Sequence, residues 1–220
     1  MARVPTVRSW FRRASSRRSS LRRSARPAVV ALALVAASGA LAAPARAGDV
    51  NLNFTPLSGR SLDKDLWSPV EDQWGFGGTV DFGEKGHPLH FALGLHGGVG
   101  AEDNADAANN DFVSTMTELS FGATWAMQSK GRLRGYVGGG VSFVGARMDV
   151  DTIAGNVHDS DDSIGGWIEA GMAWRLGSHF SLGFAGRTLL GTDINLFGVS
   201  GDSDYFEFGP LLGWSWPARH

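Results

Sequence analysis

Residues Ile164–Leu190 read IGGWIEAGMAWRL, then GSH, then FSLGFAGRTLL, and this stretch decides the fold. Ile168, Ala170, Met172, Trp174 and Leu176 share one parity. Trp167, Glu169, Gly171, Ala173 and Arg175 share the other. After Gly177-Ser178-His179, Phe180, Leu182, Phe184 and Gly186 alternate with Ser181, Gly183, Ala185 and Arg187. A period of two marks strands with two chemically different faces. The short turn between two such runs makes an antiparallel hairpin. Each run is about eleven residues or longer, against about five or six for an ordinary globular strand. Tilted strands of about nine to eleven residues are what crosses a bilayer.

The same alternation recurs from end to end. Val50–Thr55, Gln73–Gly83, Leu89–Gly100, Asp111–Met127 and Arg132–Val150 precede the hairpin, and Tyr205–Trp216 follows it, which gives eight strands. Short turns at 84–88, 128–131 and 177–179 alternate with long connections at 56–72, 101–110, 151–162 and 191–204. Up-and-down membrane barrels segregate loop length in this way. One face of each strand is bulky and apolar, and the other is Gly, Ser, Thr, Ala and scattered charge. Small residues suit the cramped interior of an eight-stranded barrel. The bulky face then meets lipid, with Trp74, Phe82, Trp125, Phe143, Trp174, Phe180, Phe206 and Trp216 as interfacial girdles. Closure satisfies every backbone group without water. Pro210 has no N–H for a ladder and predicts a bulge or a missing bond.

Residues 1–47 read as a cleavable signal peptide and 48–220 as the barrel domain. Met1–Arg26 is rich in arginine and serine and free of acid. An apolar run from Ala28 ends in Ala45-Arg46-Ala47. Basic region, apolar core and A-x-A site make an export signal. All twenty-two acids and only ten basic residues follow position 47, a formal charge of −12 on the mature chain. That balance excludes nucleic acid as a partner. There is no cysteine, so disulfide and thiol chemistry are excluded.

The mature chain resembles the small eight-stranded outer-membrane barrels of Gram-negative bacteria, the OmpA/OmpX-type barrel domain. The local matches are Gly135-Tyr136-Val137-Gly138-Gly139-Gly140-Val141 and the hairpin from Trp174-Arg175-Leu176-Gly177 to Ser181-Leu182-Gly183. The resemblance implies an outer-membrane location, contact with outer-membrane lipid and recognition by the barrel assembly machinery. That machinery reads a terminal aromatic residue. Here Trp214 and Trp216 have the right parity, and the chain continues with Pro217-Ala218-Arg219-His220.

Inward parity gathers Asp81, His90, His96, Glu118, Arg134, Glu169, Arg175, Arg187 and Glu207. Charges at membrane depth are costly unless paired. Glu118, Glu169, Arg187 and Glu207 are therefore predicted to form an ion network that fills the lumen. The resulting expectation is a structural or surface-interaction barrel with no cofactor, metal or catalysis. Its acidic loops 101–110, 151–162 and 191–204 would meet an extracellular ligand. A narrow ion channel is the first alternative. The second is a lipid-modifying barrel enzyme using His90 or His96 with Ser181 or a glutamate, but no local Ser/His motif marks it. Asp149, Asp151, Asp159, Asp161 and Asp162 lack the spacing of an EF-hand and read as solvated loop acids.

Overall fold

The computed structural model describes residues 49–62, 64–84, 86–103, 110–127, 131–152 and 155–216, with the side chains of 64 and 65 left aside. The predicted signal peptide and the last four residues lie outside the described residues, as do 104–109 of one predicted loop. Eight antiparallel strands close into a barrel: β1 (Asp49–Leu62), β2 (Asp72–Gly83), β3 (Leu89–Glu102), β4 (Asp111–Met127), β5 (Leu133–Thr152), β6 (Gly155–Arg175), β7 (Phe180–Leu190) and β10 (Tyr205–Trp216). A four-residue helix, α1 (Lys64–Trp67), follows β1. A small hairpin of β8 (Ile194–Leu196) and β9 (Val199–Gly201) lies between β7 and β10. Every barrel strand pairs with its neighbours in sequence, and β1 closes on β10.

Around the middle of the barrel the apolar face points outward. Trp74 is 66 % exposed, and Ile168, Trp174, Phe184 and Phe206 are comparably open. The rings touch across strands on this face, as in the stacked pair Phe184–Phe208 at 6.0 Å. Such a surface is stable only against an apolar solvent.

Two predicted loops give way to strand, one of them only in part. The stretch 151–162 is strand: β5 runs to Thr152 and β6 begins at Gly155, with ladder pairs from Gly145↔Asp162 to Thr152↔Gly155. Alternation continues through it, but the outward positions become polar. Phe143 and Ile164 are succeeded by Gly145, Arg147, Asp149 and Asp151 on β5 and by Asp162, Ser160, His158 and Asn156 on β6. The hairpin thus climbs out of the apolar belt by roughly 30 Å of strand, at about 3.3 Å per residue. Polarity here marks a change of solvent and not a loop.

The connection 56–72 is also shorter than predicted, because β1 continues to Leu62. Its register slips between Phe54 and Gly59 against β10, and between Thr55 and Ser58 against β2. Pro56 and Leu57 together oppose Phe76 alone, a one-residue bulge. The bulge reverses parity: Asn51 and Asn53 face inward before it, and Ser58, Arg60 and Leu62 after it. It lies opposite Pro210, whose ladder with β7 is unbroken at Phe184. The irregularity expected near Pro210 therefore sits on the partner strand, where Pro56 also lacks an N–H.

The remaining long connection, 191–204, folds over the barrel end. Phe197 (φ 53°) and Gly198 (φ 82°) form a two-residue turn with both φ positive, the geometry that matches hairpin twist. Ile194 and Leu196, with Leu66, Trp67 and Val70 from the β1–β2 connection, pack on Met116, Val144, Ala146 and Met148. Trp67 and Ile194 are wholly buried. Burying Ile194 and Leu196 contributes about 1.5–3 kcal/mol each. The long-loop end of the barrel is closed by an apolar core.

Candidate functional site

The lumen beneath this cap holds two charged nodes. In the first, Arg187 on β7 lies between two carboxylates. Its Nη1 donates to Glu169 Oε2 at 3.0 Å, and its Nη2 donates to Glu118 Oε1. Glu118 also accepts from Ser142 Oγ at 2.5 Å and from the Tyr205 hydroxyl. Glu169 accepts from the Tyr136 hydroxyl at 2.6 Å. The Arg187 guanidinium lies 4.5 Å from the centre of the Trp167 ring. Trp167 fits there because Gly122 and Gly138 face it: a Cβ on either would stand 2.7 or 3.2 Å from the indole. Arg187 and Glu169 are partners in the β6–β7 register, so the ladder itself sets their approach.

The second node was not predicted. Glu207 is opposite Arg187 in the β10–β7 register, yet it accepts from Arg60 Nε at 3.0 Å and Nη2 at 2.5 Å, and from Ser58 Oγ at 2.7 Å. Both arginine N–H groups converge on Glu207 Oε2 while Ser58 holds Oε1, a charge-assisted contact with both oxygens engaged. Arg60 falls within the predicted connection 56–72, and the bulge at Pro56-Leu57 is what turns it inward. The signal was present in sequence as the shifted alternation Ser58, Arg60, Leu62. Glu118, Glu169, Arg187 and Glu207 therefore share the lumen without forming one continuous ion chain. Tyr205 links the nodes, since its hydroxyl serves Glu118 while Arg60 lies over its ring at 4.0 Å.

Closer to the short-turn end, Asp81 accepts from Asn53 Nδ2 at 2.9 Å and Thr124 Oγ1 at 3.1 Å. His90 contacts Asn51 and the His87 carbonyl. His96 Nε2 lies 3.5 Å from Thr79 Oγ1. Both histidines are buried, at 7 % and 6 % exposure, and so is the neighbouring Ser120, which places them inside the packed lumen and away from the lipid-facing rim. Arg134 and Arg175 reach the short-turn mouth instead, the first exposed and the second half-buried.

The loop acids are not simply solvated. Asp159 Oδ2 accepts the Phe197 N–H at 2.7 Å, Asp161 Oδ2 accepts that of Asn195 at 3.0 Å, and Ser163 Oγ accepts that of Asp193 at 3.0 Å. Three successive inward residues of β6 thus bond every second backbone N–H of the covering segment from Asp193 to Phe197. Asp204 accepts from Gly191 N, Thr192 N and Thr192 Oγ1 at 3.0, 2.9 and 2.8 Å. These carboxylates hold the cap together. On the outer face of the hairpin, Arg147 binds Asp149 at 2.7 and 2.5 Å, and those hydrogen bonds hold the Asp149 carboxyl below its ordinary range. Among the described residues no group of three or more His, Asp or Glu side chains is arranged to hold a metal ion.

Comparisons with known proteins agree with this architecture. The model of a family described as outer membrane protein beta-barrel domain matches residues 28–208. No curated protein matches the sequence. Among solved structures, the attachment invasion locus protein Ail of Yersinia pestis, in complex with the heparin analogue sucrose octasulfate, aligns with a TM-score of 0.54 at 10 % identity. That alignment covers 77 % of this chain and 99 % of Ail. OprG of Pseudomonas aeruginosa aligns at 0.44 and 14 % identity, over 78 % of this chain and 97 % of its own.

Proposed function

The chain belongs to the outer membrane protein β-barrel domain family, and from that premise we propose that it is a closed, non-catalytic barrel that presents a folded acidic crown for surface interaction. It is a protein of the bacterial outer membrane. In such barrels the short turns face the periplasm and the long connections face outward. The capped end, with the β5–β6 hairpin above it, is then the extracellular one.

The observation that carries this reading is the apolar core over the lumen. A conducting barrel needs a continuous polar path, and Trp67, Ile194, Leu196 and Met116 lie across it. Eight strands leave an interior that side chains just fill, and the two charged nodes fill it. The crown has the opposite character to a polyanion receptor. The stretches 56–72, 101–111, 149–162 and 191–204 hold sixteen of the twenty-two acids. The basic residues of this region are Lys64, Arg60 and Arg147; Arg60 turns into the lumen and Arg147 is paired with Asp149. Ail is bound to a sulfated glycan analogue; this crown repels such a ligand and favours a cationic one.

Adhesion of cells that display the chain tests this reading. Display should raise attachment to polylysine-coated surfaces, and added salt should reverse the gain through screening. Attachment to heparin-coated surfaces should not rise. Preferential heparin binding would refute the proposed partner chemistry.

A further inference from the structure

Six arginines have described side chains. Arg60 and Arg187 are ion-paired in the lumen and Arg147 in the crown. The other three, Arg132, Arg134 and Arg175, start from neighbouring backbone positions at one corner of the short-turn end. Arg132 immediately precedes β5, Arg134 is its second residue, and Arg175 closes β6. The Arg175 N–H donates to the Arg132 carbonyl at 2.8 Å, Leu133 faces Trp174, and Arg134 faces Ala173. The three guanidiniums therefore spring from adjacent register positions.

None of the three is ion-paired with a described carboxylate. Arg134 and Arg175 are close enough to repel one another, and among the described residues the Asp49 carboxylate acts on Arg134 in the opposite sense. Repulsion between exposed charges is weak in water, and the fold tolerates it. The same cluster attracts an oxyanion that several guanidiniums grip together. Arginine's planar fork of donors matches phosphate geometry.

The corner also has a lipid-facing side. Leu133 and Trp174 stand on the outer wall between the arginines, and Trp174 is 57 % exposed. Tryptophan beside cations is the pattern of a headgroup interface. Ser181, the register partner of Arg175, adds a half-buried hydroxyl at the same mouth.

We propose that Arg132, Arg134 and Arg175 form a phosphate-binding corner, which takes the phosphate group of an inner-leaflet phospholipid or free phosphate. The inner-leaflet source rests on the periplasmic placement of this end; recognition of the phosphate group does not.

The test uses the folded protein in maltoside micelles, which contain no phosphate, with isotope-labelled arginine. Short-chain phosphatidylglycerol, inorganic phosphate and sodium chloride at matched ionic strength are titrated separately. A saturable shift of the three Nε–Hε signals with phosphatidylglycerol alone assigns a lipid headgroup. A shift with inorganic phosphate alone assigns the free ion, and a shift with both assigns the group they share. R134Q should weaken binding about tenfold, the loss of one charge-assisted contact. The triple variant R132Q/R134Q/R175Q should abolish saturation while keeping heat-modifiable migration, the sign of a folded barrel. Shifts that merely follow ionic strength, as chloride would produce, overturn the proposal. So does a saturable response that survives in the triple variant.

Discussion

At the scale of single residues, the lumen is decided by how each buried charge is matched. Removing one partner leaves an uncompensated charge, whereas replacing both by apolar groups of similar volume costs far less. Arg60→Met should therefore lower stability by about 3–5 kcal/mol, because it strands Glu207. The double variant Arg60→Met/Glu207→Met should recover most of that loss in urea-unfolding titrations in lipid vesicles. Equal losses in the single and double variants would show that the pair acts through packing alone. The exposed pair of Arg147 and Asp149 behaves differently. Its hydrogen bonds lower the Asp149 carboxyl below its ordinary value. The stability it adds is present at neutral pH and is lost as pH falls through that lowered value. Solvent screening keeps the contribution within about 1 kcal/mol. In an NMR titration of the Asp149 side-chain carbonyl, Arg147→Gln should move the midpoint upward. An unmoved midpoint would exclude Arg147 as the cause.

At the scale of elements, two local devices set the architecture. The bulge at Pro56-Leu57 absorbs one extra residue of β1, so deleting Pro56 should leave a regular ladder in which Leu57 alone opposes Phe76 and Ser58 and Arg60 still face inward. The expected outcome is heat-modifiable migration after refolding, with the Arg60–Glu207 pair kept; a deletion variant that fails to fold would contradict a one-residue bulge. The carboxylate ladder of β6 is the second device. Asp159→Ala and Asp161→Ala should each cost about 1–3 kcal/mol and leave a backbone N–H without its acceptor. Hydrogen exchange should then quicken at Phe197 and Asn195 respectively, with the β1–β10 seam unaffected. Unchanged exchange at both amides would mean that the apolar contacts of Ile194 and Leu196 suffice.

These devices also mark where the sequence stops being transparent. Strand parity from Gln73 to Trp216 was legible because lipid on one side and a crowded lumen on the other force strict alternation. The hairpin at 151–162 was misread because Asp, Asn and Gly signal loops only while the solvent stays the same. Beyond Phe143 and Ile164 the outer face meets water, and a strand there is polar on that side. Inward Val144, Ala146, Met148 and Val150 kept the alternation visible on β5. Arg60 was missed because one inserted residue changes parity without any change in composition. Glu118, Glu169, Arg187 and Glu207 were placed inward by parity alone, but the division into two nodes depends on Arg60 and Tyr205. Trp67 and Ile194 gave no period to read, since the cap packs by tertiary contact between short connections.

At the scale of the whole molecule, the barrel is a wall with an apolar outer belt, a lumen that holds paired charges and an apolar lid. Belt and lid share one driving force, the removal of apolar surface from water. They differ only in what covers that surface. The central claim is that the lid and the filled lumen together leave no ion path. Single-channel recording in planar bilayers tests it most directly, with the refolded, heat-modifiable protein inserted at about ±100 mV in molar potassium chloride. The account predicts a baseline current indistinguishable from the protein-free bilayer. Reproducible ohmic steps that scale with the number of inserted molecules would contradict it.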